Sequence, residues 1–221
     1  MRALARLFRR ELALAWSGGG GPLLALGFYA AVTTLIPLAT SPDPRRLAGV
    51  ATGVAWVALA LASLLSLDRM FERDFEDGAL DLISLGPLPL EAVAAIKALA
   101  HWTAAGAPLA LAAPLAAIAL GAPVSLAPLI AATAAIGGLA FAFVGGLGAA
   151  LAIGSRRGGL IIAVIVLPLL TPAVLFGGDA LYALGVGAPW QSGLLLLIAY
   201  ALAAAAVCPF AAAAACRNAA S

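Results

Sequence analysis

Between Lys97 and Arg156 the chain carries no Asp, Glu, Lys or Arg at all. That uncharged stretch, rich in Ala, Leu, Gly and Val, restricts the fold more than any other feature. With 64% apolar residues and 10% charged ones overall, a soluble fold could not cover this much apolar surface. A helix crosses roughly 30 Å of hydrocarbon in about 20 residues, and lipid requires each backbone N–H and C=O to be satisfied within its own segment. Residues 22–38, 47–67, 98–120, 123–153, 158–176 and 191–216 meet that need. Their continuous apolar character, without two-residue alternation, speaks against a strand barrel. The expectation is an all-α membrane protein: one transmembrane domain over residues 1–221 with six transmembrane helices.

Orientation follows from Lys and Arg, which stay on the cytoplasmic side of a span. With the N-terminus inside, the inner segments hold Arg2, Arg6, Arg9, Arg10, Arg69, Arg73, Lys97, Arg156, Arg157 and Arg217. The outer segments hold Arg45 and Arg46, the one pair that breaks the rule. Both termini are therefore expected in the cytoplasm. Residues 1–16 resemble neither a span nor a cleaved signal. At 100° per residue, Leu4, Leu7, Phe8, Leu12 and Ala15 share one face and the four arginines the other, the pattern of an interfacial amphipathic helix. Glu11 points from the apolar face. It either reaches an arginine on a neighbouring element, lies on a rotated or frayed helix, or snorkels to the surface, the last being the plainer reading.

Several chemistries find no machinery here. Lys97 follows Ile96 rather than the glycine of a phosphate-cradling loop, so ATP can enter only through a partner. Neither His-Glu-x-x-His nor a glycine-flanked nucleophilic serine occurs, and no metal-ligand set is visible. Asp43, Glu91, Lys97 and Asp179 read as boundary residues, which leaves no ionisable group at mid-span for a coupled carrier. Cys208 and Cys216 read as small apolar packing, and nothing points to nucleic acid.

Five of the ten acidic groups, Glu72, Asp74, Glu76, Asp77 and Asp81, fall within residues 71–85. Residues 68–91 interrupt the apolar chain and form an elbow between the second and third spans. Phe71 and Phe75, four apart, share a helical face with acids around them; Gly78 ends that helix. Leu80, Leu82, Ile83 and Leu85 form a second short piece, closed by Gly86-Pro87 and Pro89. Two aromatic anchors in an acidic surround suit a groove on a soluble partner, area giving affinity and charge giving orientation.

The pattern Phe71-x-x-Asp74-x-x-Asp77-Gly78-x-Leu80, then Leu85-Gly86-Pro87-Leu88-Pro89 and Lys97-x-x-Ala100-His101-Trp102, resembles the CcmB family, the permease subunit of the haem exporter of cytochrome c maturation. Leu167-Pro168-Leu169-Leu170-Thr171-Pro172-Ala173-Val174-Leu175-Phe176-Gly177 is similar to that family's fifth span. The chain departs from the pattern at Gly86, where a serine is expected. The resemblance implies an ABC-2-like permease of the bacterial inner membrane that works with a CcmA-like ATPase. It also implies CcmC-like and CcmD-like membrane subunits and a CcmE-like haem chaperone. Phe71, Asp74, Phe75, Glu76, Asp77, Gly78, Leu80, Leu82 and Ile83 would form the coupling helix region against the ATPase. Haem would be transported or handled rather than resident. His101, beside Trp102 at the expected cytoplasmic end of span three, is the one iron-ligand candidate, although such a pair more commonly anchors a helix end. An exporter of lipid, glycan or drug and a membrane assembly scaffold are the alternatives.

On packing, Ala142, Gly146, Ala150 and Gly154 form a small-residue ladder. Pro108, Pro114, Pro168, Pro172 and Pro209 are expected kinks. Gly177-Gly178-Asp179 is expected to end span five, with 180–187 dipping back as a half-helix.

Overall fold

The computed structural model describes residues 2–17, 21–40, 50–65, 67, 69–155 and 158–219. Among these residues there are helices and turns and no strand. In chain order the α-helices are α1 (Arg2–Ser17), α2 (Gly21–Thr40), α3 (Ala51–Leu64), α4 (Arg69–Glu76), α5 (Ala79–Ser84) and α6 (Leu90–His101). After a π-helical turn at Trp102–Gly106 come α7 (Ala107–Ala119), α8 (Ala127–Leu151), α9 (Gly158–Gly185) and α10 (Gln191–Ala219).

Among the described residues, four helical stretches are long and apolar enough to cross a membrane: Leu90–Ala119, Val124–Leu151, Val164–Gly185 and Gln191–Ala219. Helices α1 and α2 qualify together as a bent pair, while α3, with 14 residues, is shorter than a span. Arg45, Arg46, Arg156 and Arg157, on which the expected orientation partly rests, lie outside the described residues.

Helix α8 sits at the centre and packs against α3, α6, α7, α9 and α10. Its glycines explain this position, because lipid supplies no hydrophobic drive between helices and close approach through small residues takes its place. Trp102 lies over Gly138 and donates its indole N–H to the Ala135 carbonyl at 3.0 Å. Leu67 fills the space above Gly145, and the Met70 sulfur stands over Gly146. Of the expected ladder, Ala142, Gly146 and Ala150 are buried within the chain on α8, whereas Gly154 lies beyond the end of that helix with φ of 68°.

Two span boundaries differ from expectation. The third span begins at Leu90, capped by Pro89 in extended conformation, rather than at residue 98. Lys97 and His101 therefore lie inside a helix and not at its edge. Ahead of Pro108 the helix widens to a π turn, in which Ala107 N–H bonds the Trp102 carbonyl; Gly106 is required there because the Trp102 ring occupies the place of a Cβ. The fifth span does not stop at Gly177. Helix α9 continues to Gly185 through both internal prolines, Pro168 and Pro172. Gly177 serves packing instead: the Trp56 ring fills the site where its Cβ would stand.

Candidate functional site

The elbow is built from α4 and α5, joined at Gly78, whose φ of 69° is the left-handed conformation that glycine adopts without penalty. One side of α4 is fastened to the chain. Phe71 and Asp74 are buried, Glu72 accepts the Gly154 N–H at 3.3 Å, and the Phe75 ring lies against Gly154 at the end of α8. In α5, Leu80 is buried.

Beneath Asp74 lies a cluster of four charges drawn from three helices. Lys97 of α6, 3% exposed, donates to Glu11 Oε2 at 2.8 Å and to the Met70 carbonyl at 3.0 Å. Asp74 Oδ2 is held by charge 2.5 Å from the same ammonium. Arg10 of α1 completes the ring, 2.8 Å from Asp74 Oδ1 and 2.6 Å from Glu11 Oε1. The Lys97 ammonium also stands 5.4 Å from the centroid of the Phe71 ring, within cation–π range.

Two cations thus meet two anions and the set is neutral. A lysine this buried survives because each charge has a partner. Removing one side of a buried pair costs on the order of 3–5 kcal/mol, because the other charge is stranded. Burial alone would push the Asp74 carboxyl up, but the Arg10 hydrogen bond and the Lys97 charge together prevail and hold it below its ordinary value.

The cluster explains Glu11. In α1 the shielded positions are Ala3, Leu4, Leu7, Phe8, Glu11, Leu12, Leu14 and Ala15, while Arg2, Arg6 and Arg9 face outward. Glu11 belongs to the covered face because Lys97 of α6, against which α1 packs, awaits it there. The snorkelling reading is corrected: the carboxylate reaches Arg10 on its own helix and a lysine on a neighbouring one.

The residues assigned to the elbow separate into two groups. Phe71, Asp74 and Leu80 turn inward and do not present themselves to a partner in this structure. Phe75, Glu76, Asp77, Gly78 and Leu82 are exposed and Ile83 is half-buried; Asp81 and Leu85 extend the exposed set. Leu82 is 74% and Leu85 85% exposed. His101 ends α6 half-buried, directly before the π turn. Among the described residues no group of three His, Cys, Asp or Glu side chains gathers as a metal site. A further exposed pair, Arg217 to Glu91 at 2.9 Å, ties the end of α10 to the start of α6.

Arg10, Glu11 and Lys97 were not assigned to the site from the sequence. The available signal was a carboxylate on an apolar face and a single lysine at the border of an uncharged run.

Fold and site together define a multi-pass helical membrane protein with an apolar and acidic elbow, fastened to the N-terminal helix by buried charge. The family model described as CcmB protein matches residues 2–219. Heme exporter protein B of Paracoccus denitrificans is 46% identical over 96% of this chain and 97% of its own length. The protein of that name from Rhodobacter capsulatus is 43% identical, covering 98% of each chain, and that of Escherichia coli K12 40%, covering 96% of each. The chain belongs to the CcmB family.

Proposed function

We propose that this protein is the transmembrane permease subunit of an ATP-binding cassette complex that serves haem export and haem-chaperone release in c-type cytochrome biogenesis. The observation that carries this reading is the two-sided elbow: one side locked into the bundle, the other presenting Leu82 and Leu85 beside Glu76, Asp77 and Asp81. Exposed leucines ringed by carboxylates suit a groove on a soluble subunit. A CcmA-like ATPase supplies that groove and the ATP chemistry. The elbow then lies on the cytoplasmic face of the inner membrane with both termini, and α1 to α10 make six ABC-2-like spans with α1 at the interface. CcmC-like and CcmD-like subunits and a CcmE-like chaperone receive the work, and haem is cargo rather than a resident cofactor of this chain.

The test is affinity purification of the complex from solubilised membranes, with c-type cytochromes scored in the same strains. Leu82→Ala removes an exposed anchor and Asp77→Lys reverses an exposed charge, so both should reduce the co-purifying ATPase and the cytochromes while membrane insertion is retained. Undiminished association and maturation in both variants would remove the docking role.

A further inference from the structure

We infer that Lys97 makes the elbow, the N-terminal helix and the base of the third span a single moving body, so that α1 is part of the transmission and not only an anchor. This rests on the proposed ATPase coupling.

The argument begins with how the elbow is held on its two sides. Toward α8 its ties yield: Met70 and Phe75 lie on glycines, and Glu72 accepts the exposed Gly154 N–H at 3.3 Å. Apolar side chains over bare backbone can slide without breaking a polar bond. Toward α1 and α6 the ties are ion pairs: Lys97 to Asp74 at 2.5 Å and to Glu11 at 2.8 Å, both largely buried, and the partly exposed Arg10 to Asp74 at 2.8 Å. Separating the Lys97 pairs would strand charge away from water, so this side resists opening.

The wiring also has no free end. If Asp74 is displaced, Lys97 pulls on α6 and Arg10 pulls on α1; Glu11 ties those two helices to each other through Lys97. Load applied to the exposed face of the elbow therefore reaches both helices together and slips against α8. Lys97 acts here as a positioning residue, since it stands inside the body and not on the docking face.

The experiment measures distances in the intact complex. Spin labels are placed at the exposed positions Arg9 and Glu76 through Arg9→Cys and Glu76→Cys, with Cys208→Ala and Cys216→Ala as background, and their separation is read by pulsed electron resonance. The separation should be the same in the nucleotide-free and vanadate-trapped complexes. Glu11→Gln and Lys97→Met should make it shift on trapping, and Lys97→Arg should restore constancy. A label pair from Glu76→Cys to Ser155→Cys, across the glycine side, should shift in the native cluster. A native Arg9-to-Glu76 separation that changes on trapping overturns the inference even if no variant folds. Absence of an ATPase from the native complex overturns the underlying reading, and this inference with it.

Discussion

Trp56 offers the sharpest quantitative test of the bundle. Its ring is 2% exposed, meets Phe141 edge to face at 6.1 Å, and is wedged between Gly137 of α8 and Gly177 of α9. A Cβ at Gly177 would stand 2.1 Å from Cζ2, and one at Gly137 2.4 Å from Cη2. Carbon atoms rest at roughly 3.5–4.0 Å, so the first approach is short by at least about 1.4 Å. The ring cannot yield to one helix without pressing on the other. Overpacking of this kind typically costs about 1–3 kcal/mol, and Gly177→Ala should fall at the upper end. Trp56→Leu costs on the order of 2–4 kcal/mol by cavity formation, since truncating a buried Trp to Ala costs about 3–5. In the double variant the smaller side chain leaves room for the new methyl, so the two costs should not add. A coupling of at least about 1 kcal/mol is expected. Titration of micelle-solubilised protein with dodecyl sulfate, followed by far-ultraviolet circular dichroism, measures all three variants. Additivity within about 0.5 kcal/mol, or a neutral Gly177→Ala, would refute the wedge.

Two other outcomes follow from the elbow. Gly78→Ala should destabilise by about 1–2 kcal/mol, because the residue holds φ of 69° with open space around it; the same titration, with Gly27→Ala as a control at an ordinary φ, isolates the backbone cost. Asp74 has a lowered folded-state pKa, so its contribution is complete above its unfolded value and disappears as pH falls through the folded one. Melting temperature measured across acid pH should fall below the ordinary carboxylate range, and Asp74→Asn should flatten that dependence.

The sequence revealed what depends on local pattern: the apolar runs, the amphipathic α1, the break at Gly78 and the elbow between two long apolar stretches. It was least informative where the answer lies between helices. Glu11 and Lys97 are 86 residues apart, and neither shows from its own surroundings that the other neutralises it. For the same reason Lys97 read as an edge residue, since a charge ordinarily ends a span unless distant carboxylates allow it inside. Gly177-Gly178 read as a helix end because glycine weakens isolated helices; in the bundle the missing Cβ admits Trp56, and α9 continues. Asp74 and its neighbour Asp77 look alike in sequence, yet Asp74 is buried and Asp77 exposed. Asp77 lies just past the end of α4, in the turn that leads to Gly78, and only the packing shows that the chain leaves the covered face there.

The most direct measurement of the central claim is site-specific photo-crosslinking in native membranes, with the photoreactive residue placed at Leu82 and, separately, at Leu80. The two positions are two residues apart, and the structure exposes the first and buries the second. Capture of a P-loop ATPase from position 82, and of this chain alone from position 80, is the expected result. Failure to capture an ATPase from position 82, or equal capture from both, would contradict an elbow that docks by its outer face and transmits through its inner one.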